Sequence, residues 1–139
     1  MTEHRLTVRV YYEDTDLAGV VFYANYLRYY ERGRSDALRD LGVDQTALKA
    51  AGVVFVVRRI EVDYVAPARF EDLLEVATRV ETLKGASAEM VQEIRRDGQV
   101  LNRARVFVAC MTLEGRPVRL PAEARAAMLA LQPPADAAS

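Results

Sequence analysis

Residues 11–41, YYEDTDLAGVVFYANYLRYYERGRSDALRDL, pass from the end of an alternating segment through an acidic loop into a long amphipathic pattern. Tyr26, Tyr30, Gly33, Ala37 and Leu41 recur at spacings of three and four. At about 100° per residue these positions gather on one narrow stripe and predict an α-helix. Arg28, Arg32, Ser35 and Arg39 fall on the other side. Gly33 sits in the middle of the stripe, where glycine costs roughly 1 kcal/mol relative to alanine, so a close approach of the helix to another backbone is the expected compensation. Asn25 is placed to cap the start of this helix, and Gly42 to end it as the residue just past its last turn.

Upstream, Leu6, Val8, Val10 and Tyr12 alternate with polar neighbours, the period of a half-buried strand. Downstream, Asp44 is placed to cap a short helix running to Ala51. Val53 to Val57 is an unbroken apolar run of the kind a doubly covered strand shows. Ile60, Val62 and Tyr64 then alternate up to a bend at Pro67 to Asp72. Leu74, Val76, Thr78 and Val80 mark one face of the next strand, and Ala88, Met90, Gln92 and Ile94 one face of its successor. Asp97-Gly98 is a two-residue hairpin signal. Val100, Ala104, Val106, Val108 and Cys110 share a face up to a turn at Glu114-Gly115. Pro121 to Leu131 reads as a short helix started by proline. Pro133 to Ser139 reads as a frayed tail, which leaves one domain over 1–132. A strand, a long helix and about four antiparallel strands in meander predict an α+β fold with one helix lying on one sheet.

The chain of 139 residues, with 51% hydrophobic and 28% charged, can bury a core without disulfide staples. A net charge of −1 supplies no electrostatic reason for a nucleic acid or an anionic membrane as partner. Cys110, the sole cysteine, reads as a buried inert thiol. His4, the sole histidine, reads as a surface residue ahead of the first strand. The N-terminus MTEHRLTVRV has no apolar block of the secretory kind, and Val53 to Val57 falls far short of the roughly 20 residues that span a bilayer. A cytoplasmic location without membrane insertion is therefore expected.

The run Asp14-Thr15-Asp16, then Gly19-Val20-Val21, Asn25-Tyr26 and Tyr30-Glu31-Arg32 resembles the signature of the hotdog-fold acyl-CoA thioesterases. The likeness is greatest to the 4-hydroxybenzoyl-CoA thioesterase branch and its relatives associated with the Tol-Pal envelope system. It continues through Phe55-Val56-Val57-Arg58, Tyr64-Val65-Ala66-Pro67-Ala68-Arg69 and Lys84-Gly85-Ala86-Ser87, and so covers roughly residues 6 to 125. The resemblance implies a hotdog fold, one long helix wrapped by a curved antiparallel sheet. It also implies hydrolysis of an acyl-CoA to acid and CoA without metal or cofactor. Edge-to-edge pairing into a homodimer, often doubled into a homotetramer, would set two sites at the subunit boundary.

Carried over residue by residue, the resemblance makes Asp16 the catalytic carboxylate and the Tyr23 amide the donor to the thioester oxygen. It places Gly19, Val20, Asn25 and Tyr26 around the substrate. The chemistry agrees: a CoA thiolate has a conjugate acid near the cysteine value of about 8.5 and leaves with little acid help. What such a reaction needs is an activated water or a carboxylate nucleophile, with stabilisation of developing oxyanion charge. Unpaired amides at a helix N-terminus offer the latter. The competing reading of Asp-x-Asp is solvated turn chemistry. A calcium loop fails, because Ala18 and Asn25 stand where such a loop needs oxygen ligands and a glutamate. Several relatives have His where this chain has Tyr23. The phosphates of CoA call for cations at a pocket mouth, and Arg58, Arg59 and Lys84 are the candidates, with Ser87 beside the last.

No Gly-x-Ser-x-Gly elbow, P-loop or dinucleotide fingerprint is present, so a hydrolase here works through a carboxylate. Asp16 as general base and Asp16 as nucleophile both stay open. A second class also stays open, a non-hydrolytic scaffold that holds acyl-CoA, an acyl carrier protein or an envelope-assembly partner.

Overall fold

The computed structural model describes residues 2–133; the expected tail lies, from 134 on, outside the described residues. The elements are β1 (His4–Arg9), a 3₁₀ turn (Tyr12–Asp14), α1 (Asn25–Asp40), α2 (Gln45–Ala50), β2 (Val53–Tyr64), β3 (Leu73–Leu83), β4 (Ser87–Arg96), β5 (Gln99–Thr112) and α3 (Ala122–Ala130). The five strands form one antiparallel sheet in the order β1-β3-β4-β5-β2. This is the α+β hotdog arrangement, but not the simple meander expected: β3, β4 and β5 run consecutively, while β2 crosses to the far edge beside β5.

Helix α1 lies against the sheet through Tyr26, Tyr29, Tyr30, Gly33, Ala37 and Leu38, all buried. Leu41 is not on this stripe; it follows the last turn and is 39% exposed. Gly42, at φ +91°, ends the helix. Its N–H reaches the Arg39 carbonyl and that of Val43 the Leu38 carbonyl, the paired bonds of a Schellman motif. The close approach at Gly33 is to side chains rather than to backbone. A Cβ there would stand 2.8 Å from Val76 Cγ1 and 3.1 Å from both Gln92 Nε2 and Thr78 Oγ1.

The inward faces read from β3 and β4 are buried as expected, Gln92 and Thr78 included. Asp97 and Gly98 take φ of 52° and 80°, as a two-residue hairpin of primed type requires. Asp44 caps α2, its carboxylate accepting the Ala47 N–H at 3.0 Å. Val53 to Val57 is an edge segment, not a doubly covered one: β2 pairs only with β5 among the described residues, and Val56 and Val57 are 39% and 41% exposed. His4 is no surface residue. It opens β1, is 7% exposed, and its Nε2 lies 2.8 Å from Asp40 Oδ2 in the last turn of α1.

Candidate active site

The Asp16 loop is a small hairpin. The Asp16 N–H donates to the Val20 carbonyl at 2.9 Å and the Gly19 N–H to the Asp16 carbonyl at 3.0 Å, with Gly19 at φ +79°. A turn closed by a left-handed residue is what a three-residue hairpin loop demands, and glycine adopts that φ without a Cβ penalty. Asp16 Oδ1 accepts the Ala18 N–H at 2.9 Å, the side-chain turn that Asp favours at such a position. Asp16 Oδ2 has no partner among the described residues, and the side chain is exposed. One oxygen thus fixes the carboxylate while the other remains open to water. The turn reading and the catalytic reading are both compatible with this geometry.

Asp14 is the structural member of the pair. Its carboxylate accepts the Tyr11 N–H at 2.9 Å, and its carbonyl accepts the Phe22 N–H and the Asn25 side-chain amide, each at 2.9 Å. Asn25 therefore ties the loop to the helix and is not the N-cap. That position is Ala24, with helical φ and ψ and no side-chain cap. Among the described residues the Tyr23 and Ala24 amides donate to nothing. An uncapped helix start leaves these donors at the positive end of the macrodipole, where charge developing on an oxygen is favoured.

The Tyr23 side chain is 65% exposed, and its carbonyl accepts the Tyr64 hydroxyl at 2.9 Å. This bond ties the end of β2 to the peptide joining Tyr23 and Ala24. The Tyr64 ring meets that of Tyr26 edge-on at 5.5 Å. Tyr26 is buried and its hydroxyl accepts the Ala68 N–H at 3.0 Å. Burial above all raises its pKa, and the Asp16 carboxylate is among the charges that add to this. Val20 bridges Arg69, so the segment Pro67 to Asp72 backs the hairpin.

The candidate phosphate-binding residues separate into two groups. Arg58, Lys84 and Ser87 line one cavity of about 210 Å³, together with Thr82, Glu89 and Phe107. The register of β2 on β5 shifts between Val57 and Arg59, and a bulge of this kind re-aims a side chain. Arg59 does not line this cavity; its guanidinium lies 5.3 Å from the Phe107 ring centroid and 3.2 Å from Glu61. Nor does the cavity adjoin Asp16 in one chain. Tyr64 pairs with Asn102 at one end of β5 and Val57 with Val108 six residues on, a separation of about 20 Å at strand rise.

Three contacts around α1 were not legible as such in the sequence: the Tyr64 tether and the bonds made by Asn102 and Arg34. Asn102 Oδ1 accepts the Tyr30 hydroxyl at 2.6 Å in a fully buried pair. Arg34 donates to Gln92 Oε1 at 3.0 Å. The signal for the Arg34 contact was available in the two polar residues, Thr78 and Gln92, at otherwise apolar inward positions. Among the described residues no group of three His, Cys, Asp or Glu side chains is arranged to hold a metal ion, and no helix is long and apolar enough to cross a membrane.

A curved five-stranded antiparallel sheet round one long helix is the architecture of a hotdog thioesterase. The thioesterase-like superfamily model matches residues 10–128, and the chain belongs to that family. It is 45% identical over 122 residues to the acyl-CoA thioester hydrolase YbgC of Escherichia coli O6:H1, covering 86% of this chain and 91% of that one. The acyl-CoA thioesterase YbgC of Haemophilus influenzae is 44% identical over 122 residues, covering 86% and 90%. Among solved structures, a probable thioesterase from Bartonella henselae superposes with a TM-score of 0.82 at 43% identity, covering 86% of this chain and 99% of that chain.

Proposed function

We propose that the protein hydrolyses the thioester of an acyl-CoA to a carboxylic acid and CoA, with Asp16 as general base. The observation that carries this is the Asp16 carboxylate, held through one oxygen by the hairpin and open through the other, on the loop that leads through the free Tyr23 and Ala24 amides into α1. Asp16 Oδ2 takes a proton from water as the water oxygen attacks the thioester carbon. The carbonyl oxygen gains charge against the helix N-terminal amides, and collapse of the tetrahedral intermediate expels the CoA thiolate. With a conjugate acid near 8.5, that thiolate departs without a dedicated acid, so a Tyr at position 23 in place of His leaves the reaction a route.

A single chain separates Asp16 from the cavity of Arg58, Lys84 and Ser87, which supports a site completed across two copies. The β2 edge, with Val56 and Val57 exposed, is the surface through which two sheets would join, since an unpaired apolar edge is otherwise an aggregation liability. Asp16→Asn keeps the shape and the Ala18 bond but loses charge and basicity. Its turnover on a panel of acyl-CoA thioesters, followed by thiol release, is expected to fall about 10²-fold or more with KM little changed. A near-normal rate in the folded variant would remove Asp16 from the chemistry.

A further inference from the structure

Gln92 of β4 is fully buried, and the absence of a side chain on Gly33 lets it reach the backbone of α1. Its Nε2 donates to the Tyr30 carbonyl at 3.0 Å and to Thr78 Oγ1 at 2.9 Å. With both amide hydrogens used, Oε1 is fixed toward Arg34, whose Nη1 donates to it at 3.0 Å. The guanidinium is thereby held by a neutral group, and among the described residues it forms no ion pair. Burial lowers the Arg34 pKa, against the pull of Glu31 one turn earlier. The Glu31 carboxylate itself accepts the Ser35 hydroxyl at 2.9 Å.

Arg34 borders a cavity of about 190 Å³ whose other walls include Leu38, Phe55, Met90, Val108 and Met128, with Glu31 also at its lining. A half-buried cation beside hydrocarbon, with no ion pair of its own among the described residues, gains from an anion that meets it. A fork of planar donors suits a carboxylate in particular. For scale, an apolar cavity of about 150 Å³ accepts a benzene ring.

We propose that this cavity binds a small organic carboxylate, its carboxylate on the Arg34 guanidinium and a body of about six carbons against Leu38, Phe55, Met90, Val108 and Met128. The site does not rest on the thioesterase reading: Arg34 lies eight residues beyond Tyr26 on α1, about 12 Å along the axis. The carboxylate has two chemical sources, a free organic acid or the far end of a carboxylated acyl group still joined to CoA.

Calorimetric titration of the full chain with hexanoate and with its neutral isostere hexanamide tests the proposal. Hexanoate is expected to bind roughly 10- to 100-fold more tightly, the range for a charge-assisted pair. Arg34→Met removes that preference, and Glu31→Gln tightens hexanoate about two- to threefold by removing the nearby negative charge. Kinetics with adipyl-CoA against hexanoyl-CoA separate the sources: a lower KM for adipyl-CoA that Arg34→Met abolishes assigns the acyl end, and equal KM values assign a free acid. Equal affinities for hexanoate and hexanamide, or binding of neither, overturn the proposal using the unmodified protein alone, whether or not Arg34→Met folds. Retained preference in folded Arg34→Met overturns it equally.

Discussion

Tyr30→Phe removes one hydroxyl from the centre of the molecule. Tyr30 and Asn102 are both 0% exposed, and their 2.6 Å bond joins the middle of α1 to β5. Asn102 Nδ2 already lacks a partner, so the variant leaves both ends of a buried amide unpaired. The lost bond is worth about 0.5–1.5 kcal/mol and the stranded acceptor about 1–3 kcal/mol, overlapping contributions that together give roughly 2–3 kcal/mol. At about 2.1 cal/mol/K per residue, the 139 residues unfold with an entropy of about 0.3 kcal/mol/K. Tm should therefore fall by about 7–10 °C in calorimetry. Asn102→Leu in the Tyr30→Phe background removes the stranded amide altogether, so the double variant should be less destabilised than the sum of the two singles by about 1–2 kcal/mol. A fall below about 2 °C for Tyr30→Phe, or strict additivity in the cycle, would refute this account of the pair.

Tyr64→Phe keeps the edge-on ring contact with Tyr26 but frees the Tyr23 carbonyl. If that tether orients the oxyanion amides, kcat should drop about three- to tenfold with KM and Tm nearly constant, because small misplacements at a reacting centre are felt in the rate; steady-state kinetics showing an unchanged kcat would deny the tether a part in catalysis. The hydrogen bond from Arg95 holds the Glu3 carboxyl below its ordinary value of 4.5, against the opposing effect of burial. A depressed folded-state pKa stabilises above the unfolded value and is lost as pH falls through the folded one, so Glu3→Gln should be less stable at neutral pH. Its Tm should also vary less than wild type below about pH 4.5, and parallel Tm curves for the two proteins would contradict the linkage.

The helix, the strand faces and the turns were legible because each depends on short-range periodicity or local φ. The stripe Tyr26, Tyr30, Gly33 and Ala37, the Asp44 cap and the Asp97-Gly98 turn all follow from a few neighbouring residues. The misreadings share a non-local cause. Val53 to Val57 has the composition of a covered strand, but its position at the sheet edge is fixed by a pairing with β5 some fifty residues away. His4 looked external because its partner, Asp40, arrives only when α1 folds back onto β1. Asn25 looked like a cap because Asn favours caps, and the Asp14 carbonyl competed successfully for its side chain.

Asp16 shows why the site itself was less legible than the fold. The same carboxylate that accepts the Ala18 amide, as any aspartate in a tight turn does, presents its second oxygen to solvent on the loop that leads, through the free Tyr23 and Ala24 amides, into α1. Local chemistry accounts for the first oxygen completely and for the second not at all. A purely structural aspartate would be served equally by Asn, whose side-chain carbonyl can accept the same Ala18 bond. Charge is the one property that turn geometry does not require here. Asp16→Asn consequently separates the two readings more cleanly than Asp16→Ala: it retains the hairpin while deleting the base, so stability should hold as turnover fails.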